Sequence, residues 1–554
     1  MCSRDDVADL ADGAPGWVQQ LARLQQLLEL DLQPCEVALT LVHVSQLFSQ
    51  HFGDVLARGL IGIPHVPQYN PYGQPGDRTT GSFGPADAQV LARSSPGRQR
   101  EGHDMADMFD LLVIGAGMAG AAAANKCGAA GWRVGIVDAL PYGGTCALRG
   151  CDPKKILRRA AEVIDAAELM RGNGIDPGTL ALNWTDLMAH KHGFTDAVPA
   201  GMEQELTGNA VTTLHGAARF LDPTHLDIDG ISYQAGHFLI ASGARPAPLD
   251  FSGHEHLIDS TAFLDLPVLP KRVMFVGGGF VSFEFGHIAA RAGAHPVIVD
   301  RGTVPLREFD PDLVELLITR SGQAGIDVRR CTTITAVTRT ATGYQVTLDQ
   351  NGTTTTIETD LIVHGAGRIP DLDRLDLGAA QIAAGPRGVT VAGHLQSVTN
   401  RRVYAAGDAA DTPGTPLTPV AVFEGKVAAS NLLKASTTIP DYTGVPTTVF
   451  TIPELNRVGL LEQQARDAGY DLDIRYTDTS GWYSNYRTGE TTGATKVLID
   501  KHTDRILGAH LLGHGYAELT NTLALAIKLG LTTRQLKSTT ATYPSLGSDL
   551  GAML

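Results

Sequence analysis

Residues 109–120 read Phe-Asp-Leu-Leu-Val-Ile-Gly-Ala-Gly-Met-Ala-Gly, and few stretches of that length restrict a chain so tightly. An apolar run of strand character feeds the spacing Gly115-x-Gly117-x-x-Gly120. An alanine-rich stretch of helix character follows to about Gly131, and a second apolar run, Val134 to Val137, ends in Asp138. Strand, tight turn, helix, strand and acid in that order make the unit of a dinucleotide-binding fold. The glycines let the backbone approach a pyrophosphate, the helix N-terminus faces it, and Asp138 can accept hydrogen bonds from an adenosine ribose. The unit recurs: Val273–Val276 leads into Gly277-Gly278-Gly279-Phe280-Val281-Ser282, then a helix, then Pro296–Val299 ending in Asp300. Ser282 stands where a third glycine is expected, a mild departure because serine is also small. The repeat predicts an α/β chain with two Rossmann-like dinucleotide-binding domains.

Just after the first unit lies Gly143-Gly144-Thr145-Cys146-Ala147-Leu148-Arg149-Gly150-Cys151-Asp152-Pro153-Lys154-Lys155. Two residues five apart in a regular helix have Cα atoms roughly 8–9 Å apart, beyond the about 4.4–6.8 Å of a disulfide. If the two sulfurs bond, the segment between them is not regular helix. Pro153 is tolerated only in the first turn of a helix. The pattern predicts a helix starting at about Cys151, with Cys146 in the loop that feeds it. Cys151 then sits at the positive end of a helix dipole with Lys154 and Lys155 near, which favours a thiolate and a redox-active sulfur. Asp152 opposes this by adding negative charge beside Cys151. On these residues alone, two unrelated buried thiols remain the plain alternative.

The segment resembles the active-site stretch of the flavoprotein disulfide reductases (glutathione reductase, dihydrolipoyl dehydrogenase and mercuric reductase). That family's signature is Gly-Gly-Thr-Cys, four residues, then Cys-x-Pro-Lys-Lys, matched here from Gly143 to Lys155. The likeness runs from about Met108 to Leu554, and further motifs fall in the family's order. Leu239–Pro246 is like the crossover out of the FAD domain and carries Ser242 and Gly243. His364–Asp371, with Gly367, resembles the return segment. Val403–Asp408 matches the second FAD motif, whose aspartate, here Asp408 after Gly407, binds the ribitol chain and whose helix begins nearby. From Pro446 the chain resembles the dimerisation domain.

The resemblance implies an FAD-binding domain over 108–257 that is completed by 369–440. It implies an NAD(P)-binding domain over 258–368 and an α+β dimerisation domain over 441–554, which completes the neighbouring subunit's active site in a homodimer. FAD is expected on Gly115, Gly117, Gly120, Asp138, Gly144, Thr145, Lys155, Ser242, Gly243, Gly367, Gly407 and Asp408. NADH or NADPH is expected on Gly277, Gly279, Phe280, Asp300, Arg301 and Arg307, with Phe280 as an aromatic lid. Asp300 suits the ribose hydroxyls of NADH, but Arg301 and Arg307 fall where NADPH enzymes of the family hold the 2′-phosphate, which tips the expectation to NADPH. Glu284 matches the carboxylate that pairs with Lys154 and holds its ammonium near flavin N5. Electrons are expected to pass from nicotinamide through flavin into a Cys146–Cys151 disulfide. Cys151 would lie nearest the flavin, and Cys146 would be the exposed sulfur that attacks the acceptor.

One departure bears on the acceptor. Dithiol-handling members carry His-Pro-Thr-x-x-Glu near the C-terminus, and the histidine shuttles protons. Here Tyr543-Pro544-Ser545-Leu546-Gly547-Ser548 puts Tyr543 in the histidine's place and Ser548 in the glutamate's. A phenol, with a reference pKa near about 10, is a poor base at neutral pH. Mercuric reductases also lack the histidine but end in a vicinal cysteine pair, and this chain has no cysteine after Cys331. Tyr543 is able to donate a hydrogen bond, to help hold a metal or an acceptor, or to pack at a dimer seam. The implied activity is an NAD(P)H-dependent oxidoreductase acting on a small-molecule, disulfide-type acceptor. Reduction of a metal ion or a quinone is one alternative; a flavin-binding redox sensor is another. Lys154, Glu284 and a full second dinucleotide site favour turnover, because a sensor needs no hydride donor.

A formal charge of −15 argues against nucleic acid or an anionic membrane as partner. Six cysteines in 554 residues are too few for a secreted disulfide scaffold. No apolar run is long enough to span a bilayer, and the N-terminus lacks the hydrophobic core of a secretory signal, so a reducing cytoplasm is expected. Residues 1–107 lie outside the resemblance. Val18, Leu21, Leu24, Leu27 and Leu28 have helix-compatible spacing, and 64–104, rich in Pro, Gly, Ser and Gln, reads as a flexible linker. Some mercuric reductases carry a metal-binding domain there with two close cysteines; this stretch has only Cys2 and Cys35. No metal site is expected, His43, His51 and His65 being isolated. Met105 or Met108 is a candidate start, which would make the extension non-native.

Overall fold

A computed structural model describes residues 108–554; the helix, linker and start expected within 1–107 lie outside the described residues. The first dinucleotide unit builds a sheet in the order β3-β2-β1-β6-β5-β4. Its strands are β1 (Met108–Ile114), β2 (Val134–Asp138), β3 (Val211–His215), β4 (Ala218–Asp222), β5 (His225–Ile228) and β6 (Ile231–Ile240). β1 runs parallel to β2 and β6, with Leu111 opposite Val134 and His237. Leu111, Leu112 and Val113 are all fully buried, because this central strand is covered on both faces. α1 (Met118–Ala129) follows the glycine turn. After β2 come α2 (Gly144–Arg149), α3 (Cys151–Leu169), α4 (Trp184–Thr195) and α5 (Val198–Gly208).

The chain leaves this sheet through β7 (Ala244–Pro246) and α6 (Ser260–Leu264). A second sheet has the order β10-β9-β8-β14, all parallel, from β8 (Arg272–Val276), β9 (His295–Val299), β10 (Asp327–Arg329) and β14 (Leu361–His364). α7 (Phe280–Arg291) and α8 (Pro311–Gln323) connect its strands. An antiparallel meander of β11 (Thr332–Thr340), β12 (Gly343–Gln350) and β13 (Thr353–Thr359) is inserted before β14. The chain returns through β15 (Arg368–Pro370), which pairs antiparallel with β7. A small sheet of β16 (Ala384–Gly385), β17 (Gly388–Thr390) and β19 (Ala410–Asp411) flanks β18 (Val403–Ala405), and β18 joins β6 of the first sheet.

Gly407–Ala409 is a single 3-10 turn, and the long helix expected nearby, α9 (Thr418–Lys434), begins only at Thr418. Thr-Pro at its first two positions sets that start. α9 lies directly on α1. A Cβ on Gly425 would come 2.3 Å from the Ala119 carbonyl oxygen, so only glycine permits the approach.

The C-terminal sheet is antiparallel, in the order β20-β21-β24-β23-β22: β20 (Thr447–Val449), β21 (Glu454–Gly459), β22 (Leu472–Asp478), β23 (Ala494–Asp500) and β24 (Ile506–Gly513). α10 (Glu462–Asp467), α11 (Tyr483–Tyr486), α12 (Tyr516–Leu529), α13 (Thr533–Lys537) and α14 (Leu546–Met553) surround it. One hydrophobic core crosses all three parts. Leu157 and Ala161 of α3, Phe275 of the second sheet, Phe283 of α7, and Val449, Leu455 and Leu512 of the third sheet pack together.

Candidate active site

The two cysteines flank a break between helices. Cys146 lies inside α2, not in the loop the spacing predicted; the helix ends at Gly150 and α3 restarts at Cys151. The spacing argument holds for an unbroken helix, and the break at Gly150 removes its premise. A Cβ on Gly150 would stand 2.9 Å from the Thr145 carbonyl oxygen. Gly144, at φ +63°, is glycine for a related reason: a Cβ there would sit 2.6 Å from Gly117 Cα, so α2 starts tight against the first glycine turn.

Both cysteines are thiols, and their side chains hydrogen-bond to each other. The bond to Cys146 does most to pull the Cys151 pKa down to about 6; Thr418 and Lys154 help, against desolvation and the Glu284 carboxylate. The same bond, burial and the charges of Cys151 and Asp152 push Cys146 far above an ordinary thiol. The pair therefore ionises first at Cys151. Thr418 Oγ1, in the first residue of α9, is 3.5 Å from Cys151 Sγ. Burial raises the Asp152 carboxyl, partly offset by Lys154. In the protein chain alone Cys151 is exposed and Cys146 is half-buried, because α2 packs under the glycine turn while Cys151 opens the next helix.

Lys154 and Glu284 meet as expected, Nζ to Oε2 at 2.7 Å, with both side chains nearly out of solvent. The other oxygen, Oε1, accepts the N–H of Phe450 at 2.8 Å. Lys154 and Lys155 both stand over the Phe450 ring, at 5.1 and 4.1 Å from its centroid. Lys155 also lines a cleft of about 320 Å³ with Thr448, Glu454 and Gly515.

At the first glycine turn, Gly115 has φ +105°, and a Cβ would lie 2.3 Å from the Ala241 carbonyl oxygen. Gly117 caps α1 with no side-chain hydrogen bond, and Gly120 packs on the Gly115 carbonyl. Asp138 accepts from the N–H groups of Ala116 at 2.8 Å and Leu140 at 2.9 Å. Ser242 Oγ is buried with no partner among the described residues. Gly243 and Gly367, both at positive φ, flank the paired β7 and β15. Burial raises the Asp408 carboxyl, partly offset by Arg368. Thr145 is exposed at the start of α2.

The second turn repeats the pattern. A Cβ on Gly277 would stand 2.6 Å from Ala366 Cα, and Gly279 caps α7 without a side-chain bond. Phe280, the first residue of α7, is 51% exposed. The Asp300 carboxyl lies against Gly278, where a Cβ would come within 2.6 Å of Cγ. Arg301 and Arg307 are exposed and have no ion-pair partner among the described residues.

At the C-terminus Tyr543 is 80% exposed. Ser548 does not reach for it. Ser548 closes the capping box of α14, its Oγ accepting the Ser545 N–H at 3.3 Å while its hydroxyl donates to the Ser545 carbonyl at 2.5 Å. Serine at that position serves the helix end.

Sequence reasoning missed Glu424 and Arg158. Glu424, buried in α9, accepts from the Gly407 N–H at 2.7 Å, the Thr412 hydroxyl at 2.7 Å and the Tyr442 hydroxyl at 2.6 Å, and so pins the turn before Asp408. The available signal was a lone carboxylate inside the apolar run Val-Ala-Val-Phe-Glu-Gly. Among the described residues no cluster of three or more His, Cys, Asp or Glu could hold a metal ion, and no helix is long and apolar enough to cross a membrane.

A family profile described as pyridine nucleotide-disulphide oxidoreductase matches residues 109–425, and a second, described as its dimerisation domain, matches 445–553. Among curated relatives, a glutathione reductase of Burkholderia cepacia is 33% identical over 445 residues, 80% of this chain and 97% of its own. A mercuric reductase of Lysinibacillus sphaericus is 30% identical over 80% of this chain and 82% of its own. A dihydrolipoyl dehydrogenase of Staphylococcus aureus is 30% identical over 79% of this chain and 94% of its own. A solved structure, described as the Cu(II) complex of the HOCl-induced flavoprotein disulfide reductase RclA from Escherichia coli, shares the fold. It has a TM-score of 0.73 and 24% identity, over 81% of this chain and 99% of that one.

Proposed function

Because the chain belongs to the pyridine nucleotide-disulphide oxidoreductase family, which is FAD-dependent and uses pyridine nucleotides, we propose that it carries electrons from NADPH through Cys146 and Cys151 to a disulfide-type acceptor. One observation carries the reading: a thiol poised to ionise near pH 6 opens a helix beside the buried Lys154–Glu284 pair. The first unit fits FAD. α1 presents an uncapped N-terminus, Gly115 and Gly144 keep Cβ atoms out of the turn, and Ser242 Oγ is buried without a partner among the described residues. FAD bound there supplies two-electron chemistry between a nicotinamide and a sulfur pair.

The chain's own residues do the rest. As Cys146 Sγ attacks one sulfur of the acceptor disulfide, the Cys151 thiolate beside it takes the Cys146 proton. That bond breaks and the first acceptor thiolate leaves. Cys151, having given up its proton to that leaving group, attacks the Cys146 sulfur, restores the Cys146–Cys151 bond and expels the second thiolate, which is protonated from solvent. Two electrons leave the dithiol and two acceptor thiols form. Lys154 holds positive charge beside Cys151 throughout. Tyr543, in place of the family histidine, is read as a hydrogen-bond donor to the acceptor. A cytoplasmic homodimer is the assembly this reading expects.

A metal-ion acceptor is the second reading, supported by the adjacent pair of sulfurs and by the mercuric reductases among the relatives. Anaerobic titration with NADPH tests the first step. A long-wavelength absorbance band that is lost in Cys151→Ser supports the proposal, and a colourless protein that takes up no flavin sinks it. NADPH oxidation with a panel of disulfides, quinones, Cu(II) and Hg(II) then ranks the acceptors.

A further inference from the structure

The peptide of Phe450 is gripped from both sides. Its N–H donates to Glu284 Oε1 at 2.8 Å, and its carbonyl accepts from Arg158 Nε at 2.8 Å. The next carbonyl, that of Thr451, accepts from Arg158 Nη2 at 2.8 Å. Glu454 Oε1 accepts from the same nitrogen at 3.1 Å, and Glu162 engages Nη1. Arg158 is 1% exposed, and its planar fork meets four acceptors fixed in space. Lys154 stands one turn earlier on the same face of α3 and holds the other oxygen of Glu284. The bonds close a ring: Arg158, the Phe450 peptide, Glu284, Lys154, and back along α3.

We propose that Arg158 is a positioning residue of the redox centre: by fixing the Phe450 peptide it aims that N–H at Glu284 and so holds the Lys154 ammonium beside Cys151. The inference rests on the reading of Cys146 and Cys151 as the redox pair and deepens it. Glu284 is 2% exposed, so its carboxylate has no water to fall back on if the Phe450 N–H turns away. It would follow the strongest remaining donor, and the Lys154 side chain would move with it. The lead-in to the C-terminal domain thereby controls a charge in the first domain. Arg158 touches neither sulfur; it acts through Phe450 and Glu284.

The ammonium of Lys154 is one of the groups that favour the Cys151 thiolate, so its displacement is readable without flavin or substrate. The experiment is the pH dependence of iodoacetamide alkylation of the reduced full chain. Tryptic cleavage at Arg149 separates the Cys151 peptide from the Cys146 peptide for mass spectrometry. In Arg158→Met the midpoint for Cys151 rises by about 1 pH unit, which is about tenfold slower alkylation at neutral pH. Arg158→Lys behaves like Arg158→Met, because one ammonium cannot span both carbonyls. Arg320→Met, which removes a buried guanidinium tying Asp165 to Glu490, leaves the midpoint in place.

An unmoved midpoint in Arg158→Met, full rescue by Arg158→Lys, or an equal shift in Arg320→Met overturns the proposal. Where Arg158→Met fails to fold, hydrogen exchange at the Phe450 amide in Arg158→Lys decides: faster exchange supports the proposal and unchanged protection overturns it. A wild-type chain whose Cys151 alkylates only in the ordinary thiol range rejects the redox-centre reading itself, a separate outcome.

Discussion

Cys151 and its neighbours set the chemistry at the scale of single residues. Its pKa of about 6 lies below the ordinary thiol value of 9.0. A depressed acid pKa stabilises the folded, reduced protein at high pH. The contribution is complete above the ordinary thiol value and is lost as pH falls through about 6. The melting temperature of the reduced wild type should therefore gain on that of Cys151→Ser as pH rises from about 6 to about 9, and a constant difference would contradict the assignment. Asp152 is one of the groups that hold Cys146 protonated. Asp152→Asn should speed alkylation of Cys146 at any fixed pH. Ser282 offers a test with the opposite sign. Its hydroxyl is buried without a partner among the described residues. Ser282→Ala should raise stability by about 1–3 kcal/mol in chemical denaturation, since it deletes an unsatisfied donor.

Elements carry the next level of control, because helix starts and close approaches place the side chains. α9 delivers Thr418 to Cys151, holds Gly407 through Glu424, and rests on α1 through Gly425. In Gly425→Ala the new methyl would meet the Ala119 carbonyl and push α9 away from α1. The expected result is purified protein with much less bound flavin per chain, read from visible absorbance. The β9 end makes a second such case. Asp300 is pinned over Gly278 while Arg301 and Arg307 stay exposed, an arrangement that leaves both guanidiniums available to a 2′-phosphate. Arg301→Ala with Arg307→Ala should raise KM for NADPH about tenfold or more and leave KM for NADH nearly unchanged. Equal loss with both coenzymes would remove the preference.

Across the whole molecule, buried charge ties the three parts together. Asp165 of α3 meets Arg291 of α7 and Arg320 of α8, and Arg320 also reaches Glu490 in the C-terminal part. On the other flank Lys496 of β23 meets Asp310 and Asp312 at the start of α8, and Glu462 of α10. Asp310 is almost fully buried, so removing its cation strands a charge. Lys496→Met should cost about 3–5 kcal/mol and lower the melting temperature by several degrees, whereas an exposed pair such as Lys501–Asp471 should cost less than about 1 kcal/mol. These clamps sit on the hydrophobic cluster that all three parts share. The match of 445–553 to a dimerisation domain adds an expectation of twice the chain mass by sedimentation.

The Lys154–Glu284 pair, 130 positions apart, was implied by the family resemblance, whereas both dinucleotide units and the helix at Cys151 were legible in the residues themselves. The latter rest on local rules: glycine at positions with no room for Cβ, apolar runs that must become buried strands, proline confined to a first turn. A short-range pattern is enough when the cause is short-range. The placement of Cys146 within a helix was not legible, because the break at Gly150 comes from contact with Thr145 and the glycine turn. Nor was the exposure of Cys151 over Cys146, which depends on how α2 and α3 pack. The capture of Ser548 by its own helix end, Glu424 on the Gly407 turn, and the reach of Arg158 to Phe450 also emerged only in three dimensions. Glu424 and Gly407 are 17 positions apart, and Arg158 and Phe450 are 292 apart. Composition and periodicity say which side chains must be buried; only the assembled fold says which buried charge finds which partner.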